Sequence, residues 1–283
     1  MNSVKRSPRI RLGLVQATAG PEPGENLEKA ETLIEEAFCG GAQVVCLQEL
    51  FSAPYFPRVQ GIDARRYAER IPGETTRVLG LLAKRHGGVI IAPIFEQGDT
   101  GRLYNSAVII RHDGTTGGVY RKVHVPHDPH YYEKEYFSPG SSYVVEDTPF
   151  GRLAVLICYD QWFPEAARAV SLMGAQVIFY PTALGTIRDM EDPVEGDWHD
   201  AWQTVQRGHA IANGVHLAAV NRVGVEGELS FFGGSFVCDA FGNLVDHTLH
   251  ADDRIAGARA HGVDGLGDFR CRNRGSLGQF SNF

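Results

Sequence analysis

The sequence predicts an α/β domain with two sheets and helices on the outside. Three observations carry that reading. Amphipathic helical segments alternate with short, continuously apolar runs, the pattern of strands buried on both faces. The alternation occurs twice, and GAQVV (41–45) and GAQVI (174–178) stand at the same place in the two rounds. No low-complexity linker divides the 283 residues, so the chain reads as one domain, with 251–283 as an atypical tail.

Taken in order, IRLGLVQAT (10–18) reads as a first strand. The helix after it sets Leu27, Ala30, Leu33, Ile34 and Ala37 on one face and closes on a glycine pair. AQVVCLQEL (42–50) follows as a buried strand, and 76–97 as helix then strand. Residues 102–126 form a hairpin turning at Asp113-Gly114. The second round runs GRLAVLICYD (151–160) as strand, then a helix with Pro164 in its first turn, then QVIFYPTAL (176–184) as strand. Residues 198–214 read as a helix, VHLAAVNRVG (215–224) as a strand, and 233–248 as a hairpin turning near Gly242-Asn243.

Composition narrows the function classes. With 43% apolar and 22% charged residues, the chain has the make-up of a globular protein with a sizeable core. A net charge of -7 speaks against general nucleic-acid binding, which needs a basic face. No apolar run is long enough to cross a bilayer, and the charged start has no signal-peptide core. Five cysteines (Cys39, Cys46, Cys158, Cys238 and Cys271) are an odd number and imply no disulfide framework. A reducing compartment follows, and the cytoplasm is expected. The glycines are scattered at turns rather than gathered in a phosphate loop, and no cofactor is expected. His124, His127, His130 and Glu133 have the donor types of a zinc site, but the three histidines surround two prolines where no helix is expected to present them together, so no metal is expected. His209 and His216 flank a helix–strand junction and are read as packing residues.

The chemistry gathers at strand ends. AQVVCLQEL closes on Glu49, GVYRKVHVP carries Lys122, and RLAVLIC closes on Cys158. Taken alone, each has an ordinary explanation: a surface carboxylate, a solvated lysine, a core thiol. Together they are a carboxylate, an ammonium and a thiol at the carboxyl ends of strands, where open α/β sheets bind ligands. A thiol needs a base or a nearby cation to become the attacking thiolate. Attack on an amide-like carbon creates an oxyanion, which the ammonium and the backbone N–H of Tyr159 would hold. The three groups suffice for acyl transfer from a C–N bond.

The segments LQELF around Glu49, YRKVHVP around Lys122 and ICYDQWFPEAAR around Cys158 resemble the carbon–nitrogen hydrolases of the nitrilase superfamily, in order, spacing and context, from about 9 to 245. The resemblance implies a four-layer α-β-β-α sandwich with Glu49 as general base, Lys122 and the Tyr159 N–H as oxyanion donors and Cys158 as nucleophile. Glu133 aligns with a second glutamate that the family often keeps beside the lysine. Within the family, VHVPHDPHYYEKEYFSPG, CYDQWFPEAARAVSLMGAQVIFYPTALG and QRGHAIANGVHLAAVNRVG look most like the branch that hydrolyses N-carbamoylputrescine. That implies a cationic ureido amine as substrate, its ammonium met by a carboxylate or an aromatic face. Candidates are Tyr55, Asp128, Trp162, Thr182, and Glu191 and Asp197 of the acidic loop 185–200; a merely solvated acidic loop is the competing reading. The resemblance further implies a homo-oligomer, a dimer or larger. The tail departs from the family's aromatic and Arg-rich ending, keeping a trace in GDFRCRNRG (267–275). Two rivals stand beside this reading: an amidase or nitrilase acting on another small amide or N-carbamoyl compound, and a non-catalytic scaffold.

Overall fold

The computed structural model describes residues 10–188, 196–247 and 254–260. The first half contains β1 (Ile10–Gln16), α1 (Pro23–Cys39), β2 (Val44–Leu47), α2 (Glu74–His86), β3 (Val89–Gln97), β4 (Leu103–Ile110) and β5 (Thr116–Arg121). The second contains β6 (Val145–Thr148), β7 (Gly151–Val155), α3 (Pro164–Leu172), β8 (Val177–Thr182), β9 (Gly185–Ile187), α4 (Trp198–Asn213), β10 (His216–Asn221), β11 (Val223–Glu226), β12 (Leu229–Phe232), β13 (Phe236–Cys238) and β14 (Leu244–His247). A last strand, β15 (Arg254–Ala260), pairs antiparallel with β1.

Two six-stranded sheets have orders β15-β1-β2-β3-β4-β5 and β14-β13-β10-β8-β7-β6. Each has a parallel core, β1-β2-β3 or β7-β8-β10, flanked by antiparallel strands. Side chains alternate along the inner strands. Leu12, Leu14, Val44, Cys46, Val89 and Ile91 share one face and join a single apolar cluster with residues of β7, β8 and β10 of the second sheet. Their neighbours Val15, Val45, Leu47, Ile90 and Ala92 face outward onto Ala30, Ile34 and Phe38 of α1 and Leu79 and Ala83 of α2. Ala166 and Val170 of α3 and Trp202 and Ala210 of α4 pack on the second sheet. The result is helix, sheet, sheet, helix, the four layers expected.

The internal repeat is visible at residue level. Gly41 (φ +90°) and Gly174 (φ +102°) occupy the same left-handed turn, where a Cβ would strike the Arg11 and the Arg152 guanidinium respectively. Gln43 Oε1 accepts from Arg11 N at 3.1 Å, and Gln176 Oε1 from Arg152 N at 2.8 Å. In the same register Glu49 corresponds to Thr182, and Cys158 to Ala17. The duplicated scaffold offers equivalent strand ends twice, and chemistry-bearing side chains stand at only one of each.

Two strand readings are corrected. β7 ends at Val155, and Cys158 opens a 3-10 turn over Cys158–Trp162 rather than closing the strand. The reason is Asp160, whose Oδ2 accepts from Ile157 N at 2.8 Å and takes that amide out of the ladder. The segment 215–224 is likewise two strands broken at Arg222, with β11 leaving for a separate three-stranded sheet with β12 and β9.

Candidate active site

Glu49, Lys122 and Cys158 lie just past the carboxyl ends of β2, β5 and β7, and Glu133 begins a 3-10 turn. All four are buried. Lys122 Nζ donates to Glu49 Oε1 at 2.9 Å and to both Glu133 oxygens, Oε1 at 2.9 Å and Oε2 at 2.7 Å. The Tyr55 hydroxyl donates to Glu133 Oε1 at 2.6 Å. Asn105 Nδ2 donates to Glu49 Oε1 at 2.7 Å. Glu49 Oε1 therefore accepts two donors, while Oε2 is buried with no hydrogen-bond partner. One oxygen is held in place and the other is left to take a proton.

The backbone turns sharply at both reacting ends. Leu50, after Glu49, has φ +50°, and Cys158 has φ +43°, conformations that side-chain-bearing residues rarely adopt. Asp160 braces the second turn: its Oδ2 also accepts from the Tyr120 hydroxyl at 2.7 Å, and its Oδ1 from His124 N at 3.0 Å. That carboxylate ties the Cys158 turn to the strand end bearing Lys122.

The electrostatics follow from one cation among two carboxylates. Burial alone would pull the Lys122 ammonium down, but Glu133 and Glu49 outweigh it and hold its pKa above the ordinary lysine value. Burial, with Glu49 adding to it against Lys122, pushes Glu133 up to about 7. Burial and then Glu49 push the Cys158 thiol well up, against the opposing pull of Lys122 and the Ala183 backbone. Cys158 therefore rests as a thiol and needs a base to become nucleophilic.

The Glu133 shift gives a stability prediction. Its folded-state pKa is raised, so its stabilising contribution is fully present below pH 4.5, the unfolded value, and is lost as pH rises through about 7. Glu133→Gln removes this titration, so urea unfolding should show its stability relative to the parent rising between pH 5 and pH 8. An equal difference at both pH values would contradict the assignment.

The remaining candidates divide. Tyr55 is inside the cluster. Thr182 is buried at the end of β8, its hydroxyl donating to Tyr180 O at 3.0 Å. Trp162 meets Trp198 edge to face at 6.0 Å. Asp128 and Tyr159 line an open groove of 620 Å³ with His124, Pro126, Lys134 and Phe163. Asp197 is the N-cap of α4, its Oδ1 accepting from His199 N at 2.9 Å and Asp200 N at 3.0 Å. Glu191 lies outside the described residues. The three histidines of 124–130 take separate partners: His124 Nδ1 is 2.7 Å from Asp160, His127 packs on Tyr132, and His130 is 3.9 Å from Glu228. His209 Nε2 lies 2.8 Å from Gln161 O, a packed histidine with its hydrogen bond met. Asn105, Asp160 and Arg222 were missed by sequence reasoning; a polar side chain inside an apolar strand is the signal that marks Asn105.

Comparison with known proteins agrees with this geometry. The profile of the carbon-nitrogen hydrolase family matches residues 11–252. An N-carbamoylputrescine amidase of Arabidopsis thaliana is 39% identical over 265 residues, covering 90% of this chain and 86% of its own. A citrullinase of Francisella tularensis is 38% identical over 263 residues, with 90% and 86% covered. The crystal structure of a carbon-nitrogen hydrolase from Helicobacter pylori superposes with a TM-score of 0.88 at 35% identity, covering 94% of this chain and 93% of that one. This chain belongs to the carbon-nitrogen hydrolases of the nitrilase superfamily and is an enzyme that hydrolyses C–N bonds.

Proposed function

We propose that the enzyme hydrolyses N-carbamoylputrescine to putrescine, carbon dioxide and ammonia, with Cys158 as nucleophile. The observation that carries the mechanism is the buried Glu49–Lys122–Glu133 cluster acting on the Cys158 thiol. Glu49 Oε2 takes the thiol proton as Sγ attacks the ureido carbon. Lys122 and the Tyr159 N–H stabilise the oxyanion. Glu49 returns the proton to the departing nitrogen, and ammonia leaves an S-carbamoyl enzyme that still carries the amine. Water, deprotonated by Glu49, attacks that carbon and the thiolate departs. The released carbamate then loses carbon dioxide.

The substrate assignment is supported by the Arabidopsis relative, and Asp128, Tyr55 and Trp162 remain the candidates to meet the ammonium. The citrullinase relative favours a second reading, another N-carbamoyl compound or small amide in the same site. Ammonia release from N-carbamoylputrescine, citrulline, N-carbamoyl-β-alanine and a neutral amide separates them. Preference for the cationic ureide is the expected result, and preference for any other compound overturns the substrate while leaving the chemistry. Glu49→Gln should keep substrate binding, measured by calorimetry, and lose about 1,000-fold in kcat. An unchanged rate would show that another group moves the proton.

The four free cysteines among the described residues suit a reducing compartment, and we place the enzyme in the cytoplasm. No helix among the described residues is long and apolar enough to cross a membrane. A homodimer or larger assembly is proposed on family likeness.

A further inference from the structure

The segment 49–55 controls both carboxylates of the site. Glu49 stands at its start, and Tyr55 at its end holds Glu133 through its hydroxyl. It belongs to no strand or helix, and Leu50 within it has a positive φ. Asn26 Nδ2 of α1 donates to Ser52 O at 3.0 Å, and the carbonyls around it are secured by Arg222, a fully buried arginine from the far sheet. Arg222 Nη2 donates to Leu50 O at 2.7 Å, Ala53 O at 2.9 Å and Glu49 O at 3.1 Å. Its Nη1 donates to Glu226 Oε1 at 2.6 Å. Glu226 Oε2 in turn accepts from Tyr55 N at 2.6 Å. Arg222 is itself anchored where β10 gives way to β11, its N donating to Thr182 O at 3.1 Å and its O accepting from Gly233 N at 3.1 Å.

A guanidinium removed from water is costly unless its donors are met. Here both Nη groups are met, by the Glu49, Leu50 and Ala53 carbonyls and by a carboxylate that grips Tyr55, while the buried Nε has no hydrogen-bond partner. Arginine suits the task because its planar fork serves several acceptors at once, which an ammonium on a flexible stem does not. Geometry at this level matters, since a misplacement of about 1 Å at reacting groups costs on the order of 100-fold in rate.

We propose that Arg222 and Glu226 form a buried ionic clamp that positions Glu49 directly and Glu133 through Tyr55, and so sets kcat rather than substrate binding. Both are positioning residues, remote from the reacting atoms in this scheme. The proposal rests on Glu49 and Glu133 being the working carboxylates.

The test compares Arg222→Lys, Glu226→Gln, the double variant and the parent, with Glu49→Gln and Cys158→Ala as controls, by ammonia release from N-carbamoylputrescine. Each rate is normalised to the folded fraction from circular dichroism and repeated at 10 °C, where a weakened fold is favoured. Arg222→Lys is expected to lower kcat about 50-fold with KM within about threefold. Glu226→Gln keeps one acceptor and is expected to lower kcat about tenfold. The double variant should be no worse than Arg222→Lys, because the two act as one unit. Parent-like kcat per folded molecule, recovery at 10 °C, a loss confined to KM, or independent additive losses would each overturn the clamp. Activity surviving in the two controls would instead overturn the underlying reading of the site.

Discussion

Cys158→Ala is expected to lower ammonia release by about 10,000-fold or more while the fold survives. The substitution removes one sulfur from a side chain that is 5% exposed. Alanine meets the same backbone conformation, φ +43°, so no new strain arises. Chemistry, by contrast, loses its only nucleophile: Lys122 is charged and bonded to three carboxylate oxygens, and both glutamates face it. Thermal unfolding and ammonia assays on the same sample separate the two effects. Turnover near the parent rate would move the nucleophile elsewhere.

Lys122→Met is expected to be the most destabilising change in the site. Methionine fills most of the volume without the charge, leaving Glu49 and Glu133 buried with no cation between them. Breaking a buried ion pair from one side costs about 3–5 kcal/mol. The sign of its pH dependence follows from the shifts. The Lys122 pKa is raised above 10.5, so its contribution is present below that value and is lost only at more alkaline pH. Without it, burial and the neighbouring Glu49 act on Glu133 unopposed, and Glu133 binds a proton more readily than in the unfolded chain. The variant should therefore recover stability on acidification. Urea unfolding should show a large deficit at pH 8 that shrinks at pH 5. Turnover should also fall, because removing one oxyanion donor costs on the order of 100-fold to 1,000-fold. A deficit independent of pH would show that the cluster is not held by charge.

The layered fold and the core of the site were legible because both are local patterns. Alternation of helix and apolar strand marks the layers, and charged or reactive residues at the ends of apolar runs mark Glu49, Lys122 and Cys158. Details that depend on distant partners were not legible. The Cys158 turn forms because Asp160 captures Ile157 N, and nothing in RLAVLICYD separates that from a longer strand. Arg222 reads as one more residue of the strand 215–224, since the carbonyls that it serves lie in 49–53. β15 comes from RIAGARA, weak in β-formers, and exists by pairing with β1. Asp197 reads as part of an acidic loop, and its geometry shows a helix cap.

The most direct measurement is partition of the covalent intermediate by hydroxylamine during turnover of N-carbamoylputrescine. If Cys158 forms an S-carbamoyl enzyme after ammonia has left, hydroxylamine competes with water for that carbon. Ammonia release then continues, and the amine-bearing product divides between putrescine and its N-hydroxyurea in proportion to hydroxylamine, with neither formed by Cys158→Ala. Turnover that yields no N-hydroxyurea at any hydroxylamine concentration, or N-hydroxyurea made equally by Cys158→Ala, would contradict covalent catalysis at Cys158.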